Sequence, residues 1–380
     1  SVLALGGAPS DAAHGGVWGF VRVLRVEQAV LQTRCADVAR GKGLVASRMM
    51  LAPTAEAEAA CVGSSRVVAR LRACSASSAP ETTLVCGLYA ITGGLGGLGM
   101  RAAALLVEGG ASHVLLASRS SRVLRDGRAL EAQLVSMGIA AALMSGDSAD
   151  VCEATALLYA GLLVGVLHAA GAGDKGLLIE LVAQRVQWMY ASKAMGAWYL
   201  QCGAATVPLE TRVLFSSVGS GIGNVGQANY AAGNACLDAH AFSQRARRTA
   251  ACSLQWPLIG GAGMGAAAFA ERQVAIAGLA GISLEEYAAC LRVQLAADVG
   301  AAWTVQLTHR SDLRLLLQDL ADATQPRFAE LVAQTQQLPL SVGPVTPVVA
   351  PAVASPLHCA VTHRQPPPTP APTHPPLPPP

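Results

Sequence analysis

Residues 92–99 read TGGLGGLG, five glycines in eight positions, between an apolar run at 84–92 and a helix-like segment at 100–108. A strand that ends in glycines and passes directly into a helix admits few folds. Glycine permits the tight turn and the close backbone approach that a pyrophosphate requires, and the phosphate then sits at the positive end of the helix. The alternation continues downstream. Short apolar runs at 113–117, 139–144, 162–169 and 213–217 are separated by segments such as 130–137 that read as helices. Strands separated by helices predict an α/β fold with a doubly wound parallel sheet. Strands buried on both faces read as continuous apolar runs. That explains residues 154–173, an uncharged stretch of membrane-spanning length that contains His168 and several glycines. It is read as a helix end plus a buried strand, not as a membrane span.

Composition narrows the function classes. With 13% charged residues and a net charge of +3, the chain offers no basic surface for nucleic acid. Its ten cysteines form no C-x-x-C pair and no Cys/His cluster, so no metal site is expected and the thiols are read as free. Aromatics make up 4%, which leaves Ala, Leu and Val to build the core. No basic-then-apolar leader opens the chain, and an intracellular, cytoplasmic location is expected. Three zones follow from the composition. Residues 1–84 are mixed, with a helical run at 17–30; 85–335 carry the strand–helix alternation; 336–380 hold fifteen of the 21 prolines, at or after Pro339. The last zone is expected to be an extended linker, which suggests a piece of a multidomain chain.

The nucleotide site should therefore include Thr92, Gly93, Gly94, Leu95, Gly96, Gly97, Leu98 and Gly99. The second strand ends in Ser118 and Arg119, where a basic residue suits a ribose 2′-phosphate and an acidic one a free hydroxyl. Arg119 thus points to NADPH. Asp147 and Ser148 follow the third strand and are placed near the adenine. Ala169, Ala170 and Gly171 close the fourth strand with small side chains that leave room for the cofactor, and His168 is read as a structural histidine.

The fifth strand ends in Ser216 and Ser217, and thirteen residues after Ser217 comes Tyr230 in QANYAAGN. The glycine motif, HAAG, the strand-end serines and this tyrosine segment, in this order, resemble the short-chain dehydrogenase/reductase superfamily. Within it they are similar to the ketoreductase domains of type I modular polyketide synthases and of the related animal-type fatty acid synthases. Ordinary members carry lysine four residues after the tyrosine. Here that residue is Asn234, while Lys193 stands upstream in ASKAMGAW, the exchange that marks the synthase ketoreductases. The resemblance implies a Rossmann-type sheet and NADPH-dependent reduction of a β-ketoacyl chain held on an acyl carrier protein, beside neighbouring synthase domains. It implies that Tyr230 gives the proton, Lys193 lowers the tyrosine pKa, Ser217 holds the ketone oxygen and Asn234 orders the lysine or a water chain. Residues 17–28 and 66–73 resemble the end of a truncated Rossmann-like structural subdomain, only part of which is expected in this chain.

Two departures from the family pattern stand out. Pro257 and Leu258 follow Trp256 where the family usually has glycine and a second tryptophan. The Leu-Asp-Asp motif of one product hand aligns with Gly173, Asp174 and Lys175, whereas the tryptophan that marks the other hand aligns with Ile222. Asp174 tips the expectation toward a 3R hydroxyl. Residues 266–278 should form the lid over the substrate. The rival readings are a ketoreductase fold kept as a non-catalytic scaffold and a reductase of a free carbonyl metabolite.

Overall fold

The computed structural model describes residues 2–6, 12–39, 54–62, 65–75, 84–120, 132, 134–135, 141–247, 249–260, 281–296, 306–308, 317–318, 320, 322–337 and 357–361. Two sheets form among them. The smaller contains β1 (Val2–Gly6), β2 (Cys35–Ala39), β3 (Glu58–Val62) and β4 (Ser65–Val67). The first three pair in parallel and β4 runs antiparallel to β3. Helix α1 (Ala12–Glu27) connects β1 to β2.

The larger sheet contains β5 (Leu71–Ser75), β6 (Leu88–Thr92), β7 (His113–Ser118), β8 (Ala141–Ser145), β9 (Leu163–His168), β10 (Thr211–Ser217), β11 (Cys252–Trp256), β12 (Gln306–Thr308) and β13 (Leu357–Val361). Its order is β5-β13-β12-β11-β10-β9-β6-β7-β8, and every pairing from β12 to β8 is parallel. The connecting helices are α2 (Gly97–Glu108), α3 (Val151–Leu158), α4 (Ala183–Tyr190), α5 (Gly196–Gly203), α6 (Val218–Ile222), α7 (Ala228–Ala246), α8 (Leu284–Ala296) and α9 (Ala329–Gln337). This is the doubly wound Rossmann-type sheet that the strand–helix alternation predicts. Along β6 the pleat sends Tyr89 and Ile91 into one layer with Leu105, Leu106 and Tyr287, and Ala90 into the other with Leu157, Leu158 and Leu200. Strand order reverses between β6 and β9, and a crevice opens beyond the carboxyl ends of the strands at such a point.

Two strands cross the zone boundaries read from composition. Strand β5, inside the zone read as 1–84, joins the larger sheet rather than the smaller. It does so through β13, which comes from the zone read as a linker and pairs antiparallel with both β5 and β12. Residues 357–365 carry no proline, so this stretch keeps the backbone donors that a ladder needs. The helix expected at 130–137 and the lid expected at 266–278 lie largely or wholly outside the described residues.

The first helix serves the second half of the chain. On α1, Gly15 and Gly19 face α7; a Cβ at Gly15 would meet Ala239 Cβ at 2.4 Å, and one at Gly19 would meet Ala231 O at 2.2 Å. Small residues on both surfaces thus allow the backbones to close up. The helix behind the tyrosine segment is clamped by the N-terminal zone. Among the described residues no helix is long and apolar enough to cross a membrane.

Candidate active site

A cleft of about 290 Å³ opens at the carboxyl ends of β6, β7, β8 and β9. Thr92, Gly93, Leu95, Gly96, Gly97, Leu98, Gly99, Ser118, Arg119, Asp147, Ser148, Ala169, Ala170 and Gly171 all line it, as does Ser192. Gly94 does not. Its amide donates to Ala117 O over 3.0 Å, and a Cβ there would come within 2.9 Å of Leu116 Cα, so it serves the packing of the turn on β7. Gly93 has φ +67°, and a Cβ would lie 2.8 Å from the Ala170 backbone. Only glycine meets both demands.

The donors suit a dinucleotide. Helix α2 starts inside the glycine motif, at Gly97, and its N-cap Gly96 offers no side-chain cap. The first amides of α2 are therefore left to an anion from outside the helix. Arg119 and Ser118 stand at the end of β7. Asp147 Oδ1 accepts the Ala149 amide over 2.9 Å, which fixes the turn that follows β8.

The second half of the site lies where β9 and β10 meet α7. Helices α4 and α5 are joined by one π-helical turn, Ala191–Met195, and Lys193 sits in it. Such turns push side chains out of helical register and recur at functional sites. Lys193 is buried, its Nζ donates to Phe215 O over 2.8 Å, and it stands 6.0 Å from the centre of the Tyr230 ring. Burial brings the Lys193 ammonium down to about 8, and the carboxylate of Asp238 acts in the opposite sense. A Cβ at Gly171 would meet Lys193 Cε at 2.4 Å, so the last residue of HAAG makes room for the lysine stem as well as lining the cleft.

Burial raises the Tyr230 hydroxyl above its ordinary value, and hydrogen bonds with Ser217 and Asn234 act to lower it. Lys193 Nζ itself is directed at Phe215 O. Asn234 Nδ2 donates to Tyr230 O over 2.9 Å, and its buried Oδ1 has no hydrogen-bond partner. Ser217 Oγ accepts the Gly219 amide over 3.2 Å and caps α6.

His168 carries more than a core histidine needs to. Its Nε2 lies 3.1 Å from Lys193 O and its Nδ1 lies 2.7 Å from Thr92 Oγ1. A carbonyl can only accept, so Nε2 carries the proton and Nδ1 accepts from the threonine. Burial, with Lys193 nearby, holds the imidazole at about 3 and therefore neutral. The glycine motif and the lysine turn are thus tied through one side chain.

Two residues read as stereocontrol positions go to different places. Asp174 holds the Arg185 guanidinium with two oxygens and accepts from Asn229 Nδ2 over 2.6 Å, next to Tyr230. Ile222 turns away from the cleft and packs with Leu71, Phe328 and Leu331. Sequence reading missed Asp238. It lies two helical turns beyond Tyr230 on the same face of α7 and accepts from Ser220 Oγ, Ser253 Oγ and Gln255 Nε2 at 2.6 to 2.8 Å. The spacing 230, 234, 238 was its signal. No group of His, Cys, Asp and Glu able to hold a metal occurs among the described residues.

Comparison with known proteins agrees with this geometry. The KR domain family model matches residues 87–261. Polyketide synthase GfsA of Streptomyces halstedii is 42% identical over 185 residues, covering 47% of this chain and 2% of that protein. The spectinabilin polyketide synthase system protein NorB of Streptomyces orinoci is 37% identical over 238 residues, covering 60% of this chain and 11% of that protein. The chain therefore spans a small part of the curated relatives that it matches. Among solved structures, A-type ketoreductases from a modular polyketide synthase superpose with TM-score 0.77 at 27% identity, covering 87% of this chain and 74% of theirs. The first ketoreductase of the tylosin synthase gives 0.71 at 27%, covering 87% and 75%. With the Rossmann-type sheet, the glycine cleft and these relatives taken together, residues 87–261 are a KR domain, similar to the ketoreductases of type I polyketide synthases.

Proposed function

We propose that the domain uses NADPH to reduce a β-ketoacyl thioester, presented by an acyl carrier protein, to the β-hydroxyacyl form. One observation carries the reading. Lys193, Ser217, Tyr230 and Asn234, from three separate elements, converge at the strand ends beside the cleft. The glycine turn, the start of α2 and Arg119 are the groups that would hold the dinucleotide, whose nicotinamide would supply the hydride when bound.

Hydride arrival at a ketone builds negative charge on oxygen, which needs hydrogen-bond donors and then a proton. Tyr230 keeps its proton through neutral pH because burial raises it, and it is the donor. Ser217 holds the same oxygen from the other side. Lys193 supplies positive charge nearby, and Asn234, one turn beyond Tyr230 on the same helix, has a buried Oδ1 whose acceptor capacity suits a water. The companion domains and the carrier belong to this proposal, in keeping with the multidomain synthases that the chain resembles.

Cofactor oxidation with a simple β-ketoacyl thioester tests it. NADPH-selective turnover is expected, and Tyr230→Phe should cut it by about 100-fold or more while cofactor affinity is retained. A Tyr230→Phe protein that still turns over would overturn the proton-donor assignment.

A further inference from the structure

A second cluster of charged side chains lies behind the catalytic turn and connects three distant parts of the chain. Glu58 on β3 is 5% exposed. It accepts two bonds from Arg22 at 2.9 and 2.7 Å and one from Arg25 at 2.6 Å, and Arg327 Nη1 stands 3.8 Å away. Burial alone would raise this carboxyl, yet Arg22 and Arg327 hold it far below the usual carboxylate range. Arg22 and Arg327 also reach a second, shared target. Arg22 Nη1 donates to Ser220 O over 2.7 Å, Arg327 Nη1 to Gly221 O over 2.8 Å, and Arg327 Nη2 to Ile222 O over 3.3 Å.

These three carbonyls belong to α6, the single turn that Ser217 caps. A helix of five residues cannot satisfy its own final carbonyls, and here the donors come from outside it. The other side of the turn is tied as well. Ser220 Oγ lies 2.7 Å from Ser217 O and 2.6 Å from Asp238 Oδ2. Guanidinium suits this task because its planar fork can grip a carboxylate and still reach a further acceptor.

We propose that Glu58 is a positioning residue for the reduction, holding Arg22 and Arg327 against the carbonyls of Ser220, Gly221 and Ile222 so that the turn presents Ser217 to the substrate oxygen. The proposal rests on the reading of Ser217 given above. It gives the N-terminal zone a part in the chemistry beyond stability. Misplacement of a group by about 1 Å costs on the order of 100-fold in rate, so a clamp of this kind is felt at a distance.

The test compares Glu58→Gln and Arg22→Lys in the full chain, each with intact Ser217 and with Ser217→Ala. Glutamine keeps the shape of Glu58 and removes its charge. Lysine keeps the charge of Arg22 but cannot span both Glu58 and Ser220 O. Thioester kcat and KM, NADPH affinity and melting temperature are measured for each. Both variants should lose roughly 10- to 100-fold in kcat with NADPH affinity unchanged, and the same changes should cost less than about twofold once Ser217 is alanine. If Glu58→Gln does not fold, Arg22→Lys carries the comparison. Unchanged kcat in folded variants, or the full loss again in the Ser217→Ala background, overturns the clamp. Wild-type turnover by Ser217→Ala alone would show instead that the reading of Ser217 had failed, and the clamp with it.

Discussion

The ammonium of Lys193 and the ring of Tyr230 stand 6.0 Å apart, although the two residues come from different helices and the ammonium is bonded to Phe215 O. The pair is set by the backbone: the π-helical turn directs the lysine, and Gly171 leaves space for its stem.

The charge of Lys193 gives a pH signature. Below about 8 the buried amine is protonated, and above it the charge is lost. Turnover should therefore fall as pH rises through this value. A kcat–pH profile checks it, and Lys193→Gln should show a flat upper limb at much reduced rate. A wild-type profile level through pH 8 to 9 (about the span of one titration) would separate the lysine charge from the reaction.

Arg119 should discriminate between the two nicotinamide cofactors. Arg119→Asp is expected to weaken NADPH by roughly 10-fold or more, the scale of one lost charge-assisted contact, and NADH far less. Titration with each cofactor measures the ratio. An unchanged preference would remove Arg119 from the 2′-phosphate site.

Gly93→Ala places a Cβ 2.8 Å from the Ala170 backbone at φ +67°. A strain of about 1–3 kcal/mol is expected. The melting temperature should drop and cofactor affinity should weaken together, because the same turn carries both. Loss of neither would mean that the turn relaxes without consequence.

Acid stability should report the buried histidines. His168 and His240 are held neutral in the folded chain until about 3 and about 4, against an ordinary value of 6.5. Between those values and 6.5 the unfolded chain binds more protons than the folded one, so their contribution is complete above 6.5 and is lost as pH falls. The slope is at most about 1.4 kcal/mol per pH unit for each group. Denaturant midpoints at about pH 7.5 and about pH 5 measure it, and His168→Asn should flatten the difference.

Much of the fold could be read locally. The glycine turn, the apolar runs of β6 and β9 and the placement of Tyr230, Asn234 and Asp238 on one helical face follow from short-range periodicity and steric rules. Residues near in sequence share an element, and elements obey spacing. Tertiary structure decided what comes together across elements. It brought Lys193 to Tyr230, turned Ile222 into an apolar cluster, drew β13 from a proline-rich zone into the sheet between β5 and β12, and gathered Arg22, Glu58 and Arg327 behind Ser217. None of these has a period to betray it. Each is settled by which distant surfaces must exclude water together, and by which buried charges and carbonyls then need partners.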